Sequence, residues 1–537
     1  MKRNLLLLAL GLLVFSIAEA QILRVNPQSM SCALYERMDI DVELKGEWDN
    51  PYRQEEARLD MIVATPNGAT IVVPAFFVEG ESGKMSRWTI RYTPQTTGVH
   101  TYTMHYIQPG MESVSPSYML NVKASSGHGF LHIADNWVLR YDDGTPFRGI
   151  GENLCWESRA NDDSKYFKKL HEQHDRFNYP SMLPKFAENG GNFARIWMCG
   201  WNFPIDKKSH FNNTRYEICD SPINPSAVKR LDQTVELCEK LGVKIMLCIG
   251  AGEAHTDGDF FVSEKAKAAH RNRLRYIVAR WGYSEAIAMW EFFNEIDNIQ
   301  YRDSNHPIPA KDIVDWHAQM ARYIKSIDVY KHIVTTSISH RDLEGLNSIA
   351  DMDINQKHIY NHTSTIPTTI KDYTRKFGKP YIIGEFGYEW DWSKNFDDFA
   401  DGMDVDFRRG LWYGLFSPTP VTPMSWWWEY FDNRNMQRFF RAPALVNKEM
   451  LENGKGCFVP CEVGADNGQA FAVKCGTKTY VYLFNDSKRA MKKVQVEAGG
   501  TLRELNIEKA VWGKGKKCEG TISTNVKPQA EKVFVIE

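Results

Sequence analysis

The sequence carries almost no net charge: 65 basic residues stand against 67 acidic ones, a formal −2. With neither sign in excess, there is no electrostatic case for a nucleic-acid partner or for an anionic membrane surface. Beyond the N-terminal apolar run, no stretch is long and apolar enough for a bilayer span, so membrane insertion is not expected. Internal repeats and low-complexity runs are missing as well. Cysteine is thin, 10 in 537 residues, and lacks the dense spacing of a small disulfide scaffold. No Cys-x-x-Cys pair or neighbouring His completes a zinc set. Cys155, Cys238 and Cys248 lie in apolar, periodic segments and read as buried thiols; Cys457, Cys461, Cys475 and Cys518 gather near the C-terminus, where a disulfide stays open. His171-Glu-Gln-His174 spaces its histidines by three positions, whereas a zinc-protease helix needs four, so it reads as polar surface.

What is present starts at the N-terminus. Lys2 and Arg3 precede an apolar run from Leu5 to Ala18, and Ala18-Glu-Ala20 offers the small-x-small cleavage pattern. Residues 1–20 are therefore expected to be a secretory signal and the product to be secreted or periplasmic, starting at Gln21. The remaining length suggests roughly three domains. An apolar content of 43% supplies several cores, and 16 Trp with 23 Tyr supply flat amphipathic rings on which sugar faces stack, although most such rings serve as packing.

Residues 21–124 read as an immunoglobulin-like β-sandwich. Ile40, Val42 and Leu44 alternate with acidic neighbours, Trp88–Tyr92 and Tyr102–Tyr106 repeat the period, and Pro66-Asn-Gly68 and Thr97-Gly98 mark turns. A linker and hairpin occupy 125–146. From 147 to 445 the rhythm becomes strand–helix: strands near Phe147–Ile150, Asn192–Trp197, Val243–Leu247, Ala286–Phe293, His332–Thr336, Ile354–Tyr360, Tyr381–Ile383 and Pro423–Trp427. Intervening helices include one that starts after Asn224 and stops at Gly242, and another that stops at Gly378. Eight such strands predict a (β/α)8 TIM barrel. From 446 to 537 the helical signal ends, and segments such as Thr479–Phe484 and Lys532–Ile536 predict a second β-sandwich.

A barrel of this kind presents its reacting groups at the C-terminal ends of its strands. Strand four ends on Asn294-Glu295 and strand seven on Gly384-Glu385, each after an apolar run. A carboxylate at the rim of a dry barrel is costly unless used, and two opposed ones suit glycoside hydrolysis, with a separation of roughly 5–5.5 Å for retention.

These residues resemble the signature of glycoside hydrolase clan A, the family-5-like barrels. Asn192 and Arg195 resemble the strand-two Arg motif, and His358-Ile-Tyr360 resembles the strand-six His-x-Tyr. Trp426, Trp427 and Trp428 fall where a strand-eight Trp lies under the sugar. The flanking N-terminal β-domain, Gly127–Phe130 and Tyr141–Phe147 resemble exported bacterial polysaccharide-degrading enzymes with an immunoglobulin-like domain before the barrel. The resemblance implies that Glu295 is the general acid/base, starting protonated, and Glu385 the nucleophile, kept ionised through Arg195 and Tyr360. Asn294 would hold the 2-hydroxyl of the reacting sugar, with His358 and Trp427 at the same site. It implies no cofactor and no metal. Two departures stand out: after strand three, where family-5 enzymes often place a His, the sequence gives Gly250-Ala-Gly-Glu-Ala-His255, and Glu152 and Glu429 add carboxylates near the rim.

The resulting expectation is retaining hydrolysis of a β-linked glycan, endo-acting on a β-glucan or β-mannan-like chain. A catalytically inactive carbohydrate-binding protein and a transglycosylase are the alternatives.

Overall fold

The computed structural model describes residues 21–157, 178–250, 256–388 and 394–537. The expected leader at 1–20, the His171–His174 segment and His255 lie outside the described residues.

The N-terminal part is two packed sheets. One runs in the order Gln21–Pro27, Met38–Lys45, Met85–Tyr92, Phe76–Gly80; the other in the order Ser31–Ala33, Tyr118–Lys123, Gly98–Gln108, Arg58–Ala64, Thr70–Pro74. Strict alternation in Met38–Lys45 buries Ile40, Val42 and Leu44, which share a core with Leu59, Met61 and Met104 of the second sheet. Gly68 takes the hairpin turn with φ 87°, a value that strains any side chain. This sandwich is seated on the helices Pro225–Leu241 and Glu264–Trp281: Arg91 donates to Asp232 of the first and to the Arg280 carbonyl of the second, and Arg275 pairs with Asp60 at 2.6 Å.

A small antiparallel sheet follows, Leu131–Ile133, Leu139–Tyr141 and Pro146–Phe147. Phe147 pairs antiparallel with Leu139, so the expected first barrel strand at Phe147–Ile150 is displaced: the first parallel strand is Gly151–Asn153. The reason is local. Gly149 and Gly151 approach Phe193, Val421 and Met424 so closely that a Cβ at either would lie about 3 Å from them, so the segment serves a crossing rather than a ladder.

Five parallel strands then pair in chain order: Gly151–Asn153, Phe193–Trp197, Lys244–Cys248, Ile287–Glu291 and Ile333–Thr335. Three more, Ser337–Ile338, Asn355–Tyr360 and Tyr381–Gly387, form a second parallel set. Thr336 is all that separates Ile333–Thr335 from Ser337–Ile338, so these two pieces count together as the fifth strand, Asn355–Tyr360 as the sixth and Tyr381–Gly387 as the seventh; Ser337 N–H donates to the Phe293 carbonyl. The expected strand at Pro423–Trp427 is instead an irregular segment, because Pro420 and Pro423 lack the N–H a ladder needs. It still makes parallel bridges on both sides, Val421 to Gly149 and Ser425 to Phe386.

Helices fill the connections. In Pro225–Leu241 the Asn224 side chain accepts from Ser226 and Ala227 N–H, Val228, Leu231, Val235 and Cys238 are buried, and Gly242 ends the helix at φ 68°. Ile366–Phe377 ends the same way at Gly378, φ 63°. The fully buried Arg148 donates to the carbonyls of Gly414, Leu415, Ser417 and Thr419, satisfying the C-terminal end of Ala400–Leu415. Helical structure does not stop at 446: Arg441–Gly454 is continuous, its buried residues Val446 and Met450 packing inward. An eight-stranded C-terminal sheet then covers the helix Ala400–Leu415 through the stacked pair Trp412 and Tyr482, 5.7 Å apart. All ten cysteines are free thiols, those of the C-terminal group included. No described helix is long and apolar enough to cross a membrane.

Candidate active site

Arg195 projects from the second parallel strand and is fully buried. Its Nε and Nη2 donate to the two oxygens of Glu291, at 2.7 and 2.8 Å. Nη1 donates to Glu385 Oε1 at 2.5 Å and to Asn153 Oδ1 at 3.2 Å, and Nη2 also reaches Asn294 Oδ1 at 2.9 Å. The guanidinium therefore braces the ends of the fourth and seventh strands in one plane, which a bidentate fork can do and an ammonium cannot.

Glu385, 2% exposed, also accepts from the Tyr360 hydroxyl at 2.5 Å. Burial pushes its carboxyl up, but the charges of His358 and Arg195 and the bonds from His358 and Tyr360 outweigh this and hold it below the usual carboxylate range. Glu295 follows the fourth strand in the left-handed region, φ 49°, an uncommon conformation for a residue with a Cβ and one that aims its carboxylate inward. Its N–H donates to Ser337 Oγ at 2.9 Å, and its Oε2 accepts from Asn298 Nδ2 at 2.7 Å.

Between the two glutamates stands His358. Its Nδ1 lies 2.8 Å from Glu295 Oε1 and 3.3 Å from Glu385 Oε2. Burial disfavours its charge, yet Glu385 and the bond to Glu295 prevail and lift it to about 9. Oxygens of both glutamates and a His358 nitrogen all fall within 4.8 Å of one another. Among the described residues this trio is the one group with the spacing to ligate a cation; Arg195 and His358 already supply its counter-charge.

Trp427 is buried, edge-on to Phe396 at 4.5 Å, and packs over Gly387, where a Cβ would sit 2.7 Å from the indole nitrogen. Partial exposure belongs to Trp426, which lies 5.4 Å from Trp197 and 5.3 Å from Trp156 in an aromatic group beside Arg195. Asn192 is not at this end of the strands; its side chain accepts from Ile150 N–H at the opposite end. Glu429 accepts from the Trp156 indole at 3.0 Å, and burial with the nearby Asp432 pushes Glu152 well above the usual range.

Sequence reasoning passed over Glu291, Gln356, Asn153, Ser337 and Asn298. Glu291 did leave a signal, a lone acid inside the apolar run Ala286–Phe293. Gln356 left none, for it stands among the polar residues Asn355, Lys357 and His358.

Comparison with known proteins adds the following. Residues 160–405 match the family model of cellulase (glycosyl hydrolase family 5), and residues 31–106 match a domain of unknown function, DUF5060. Mannan endo-1,4-beta-mannosidase A of Podospora anserina is 26% identical over 252 residues, 39% of this chain and 64% of that protein. Mannan endo-1,4-beta-mannosidase A of Aspergillus aculeatus is 27% identical over 231 residues, 39% of this chain and 57% of that protein. The chain thus spans about three-fifths of the length of these curated relatives. A crystal structure from Bacteroides vulgatus, provisionally described as a glycoside hydrolase, aligns with TM-score 0.63 and 13% identity over 95% of this chain and 100% of that one, a likeness of fold. By motif, by matched segment and by relatives, the central α/β part of this chain is similar to glycoside hydrolase clan A, and in sequence to its family 5.

Proposed function

We propose that the chain is a retaining, endo-acting glycoside hydrolase whose substrate is a β-mannan-like polysaccharide. Its eight parallel segments are read as one closed (β/α)8 barrel, between an N-terminal immunoglobulin-like domain over 21–124 and a C-terminal β-sandwich. A helix through Gly454 moves the start of that last domain beyond 446. The leader at 1–20 sends the product out of the cell. The observation that carries the reading is the pair Glu295 and Glu385 joined through His358 within 4.8 Å, a spacing suited to double displacement rather than to a water-sized gap.

Glu385, ionised beside Arg195, attacks the anomeric carbon while Glu295 gives its proton to the departing glycosidic oxygen. The bond to the leaving sugar breaks and a glycosyl ester forms on Glu385. Glu295, now a carboxylate, takes a proton from water as the water oxygen attacks the same carbon, and Glu385 is released. With its carbonyl oxygen tied to Arg195, Asn294 offers its amide N–H groups to the 2-hydroxyl. Trp426 and its tryptophan neighbours form the sugar-stacking wall, and Trp427 backs the nucleophile's strand. The mannan preference follows the names of the curated relatives.

The test is digestion of mannans, β-glucans, galactans and xylans read by mass spectrometry, with wild type beside Glu385→Gln and Glu295→Gln. Release of manno-oligosaccharides by wild type and none by either variant supports the reading. Cleavage of another glycan alone replaces the substrate, equal cleavage by both variants removes the site, and binding without cleavage favours a carbohydrate-binding protein.

A further inference from the structure

Arg195 does not give most of itself to Glu385. Two of its three nitrogens are held by Glu291, and a single Nη1 is left for Glu385. Glu291 is fully buried in the wall of the fourth strand. Burying such a charge is expensive unless it is paired and hydrogen-bonded, and here both oxygens are used. Oε1 accepts a further bond from Gln356 Nε2 at 3.0 Å. Gln356 reaches it across the space left by Gly384, where a Cβ would fall 1.8 Å from Gln356 Oε1. The glycine before Glu385 thus makes room for the side chain that steers the partner of Arg195.

Charge changes during the proposed reaction give this arrangement a task. When a lone pair of Glu385 forms the bond to the anomeric carbon, the leaving oxygen takes the Glu295 proton and Glu385 becomes an uncharged ester. A guanidinium paired with Glu385 alone would then be left uncompensated in a dry site, opposing ester formation. We propose that Glu291, steered by Gln356, is a positioning residue that keeps Arg195 neutralised while the charge of Glu385 is spent. The proposal deepens the reading above and rests on Glu385 being the nucleophile.

Glu385 is faced by Arg195 from the second strand, His358 and Tyr360 from the sixth, Glu295 after the fourth and the Cys155 thiol after the first. Glu291→Gln keeps size and removes charge, so the whole Arg195 cation then falls on Glu385. Its carboxyl should titrate lower than in wild type, the acid limb of kcat/KM should move to lower pH, and kcat should fall about ten- to a hundredfold. Glu291→Asp, which keeps the charge, should leave the acid limb in place. Carbon-13 NMR of labelled glutamate carboxyls, assigned with Glu385→Gln, reads the Glu385 titration without turnover. An inactive wild type would therefore overturn the functional reading and leave this test intact. An unmoved or raised Glu385 titration in Glu291→Gln overturns the proposal; if that variant does not fold, a displaced titration in Glu291→Asp does so.

Discussion

At the scale of single residues, the site works by setting local charges against burial. Burial alone would raise the Glu385 carboxyl, and His358, Arg195 and Tyr360 together reverse that. Removing one donor shifts the balance back: Tyr360→Phe should raise the Glu385 carboxyl, move the acid limb of kcat/KM to higher pH and lower activity by about 10²-fold. A pH–rate profile of the purified variant checks this. Gly387→Ala should cost activity through position rather than charge, because the added methyl would lie 2.7 Å from Trp427 Nε1 and 3.1 Å from Tyr360 Cδ1. A loss of about tenfold or more with an unshifted acid limb is expected. Glu295 and Glu385 could be picked out of the sequence because each stands at the end of an apolar strand, and Arg195 and Tyr360 through the motifs they resemble. Glu291 lies within its strand, where an isolated polar residue looks like a tolerated exception until its partner is known, and Gln356 is hidden among the polar neighbours Asn355, Lys357 and His358. Nor could alternation sort Trp426 from Trp427, since the segment that carries them is no regular strand.

At the scale of elements, caps and buried cations hold the strand ends in register. Asn224→Ala removes the acceptor for two N–H groups and should cost about 1 kcal/mol, read from denaturant unfolding. Arg148→Met is more severe: it leaves several carbonyls without a buried donor, and a loss of about 3 kcal/mol or more is expected from the same measurement. Pro225–Leu241 was legible because a cap, an apolar stripe and a terminal glycine agree, and Ile366–Phe377 because Gly378 marks its end. The first strand was misplaced because Phe147 is apolar for a different reason, closing the strand bottoms beside Phe193 and Val421. The helix Arg441–Gly454 escaped notice because it crosses the place where the strand–helix rhythm breaks.

At the scale of the whole molecule, the C-terminal sheet meets the helix Ala400–Leu415 through a titratable contact. Burial lifts Glu531 to about 7 even though Arg408 and the Tyr482 hydroxyl oppose the shift. A carboxyl held protonated above its unfolded value stabilises the fold fully below about pH 4.5, and that stabilisation is lost as pH rises through about 7. The loss is on the order of 3 kcal/mol. Thermal unfolding should therefore occur at lower temperature at pH 8 than at pH 5, and Glu531→Gln should flatten that slope. The central claim, that Glu385 carries the sugar between two displacements, is reached most directly by trapping. A manno-oligosaccharide with fluorine at C2 and a reactive leaving group should add one glycosyl unit to the wild-type chain, mapped by peptide mass spectrometry to Glu385. A label on another residue, or no label on a preparation that hydrolyses mannan, would contradict the account.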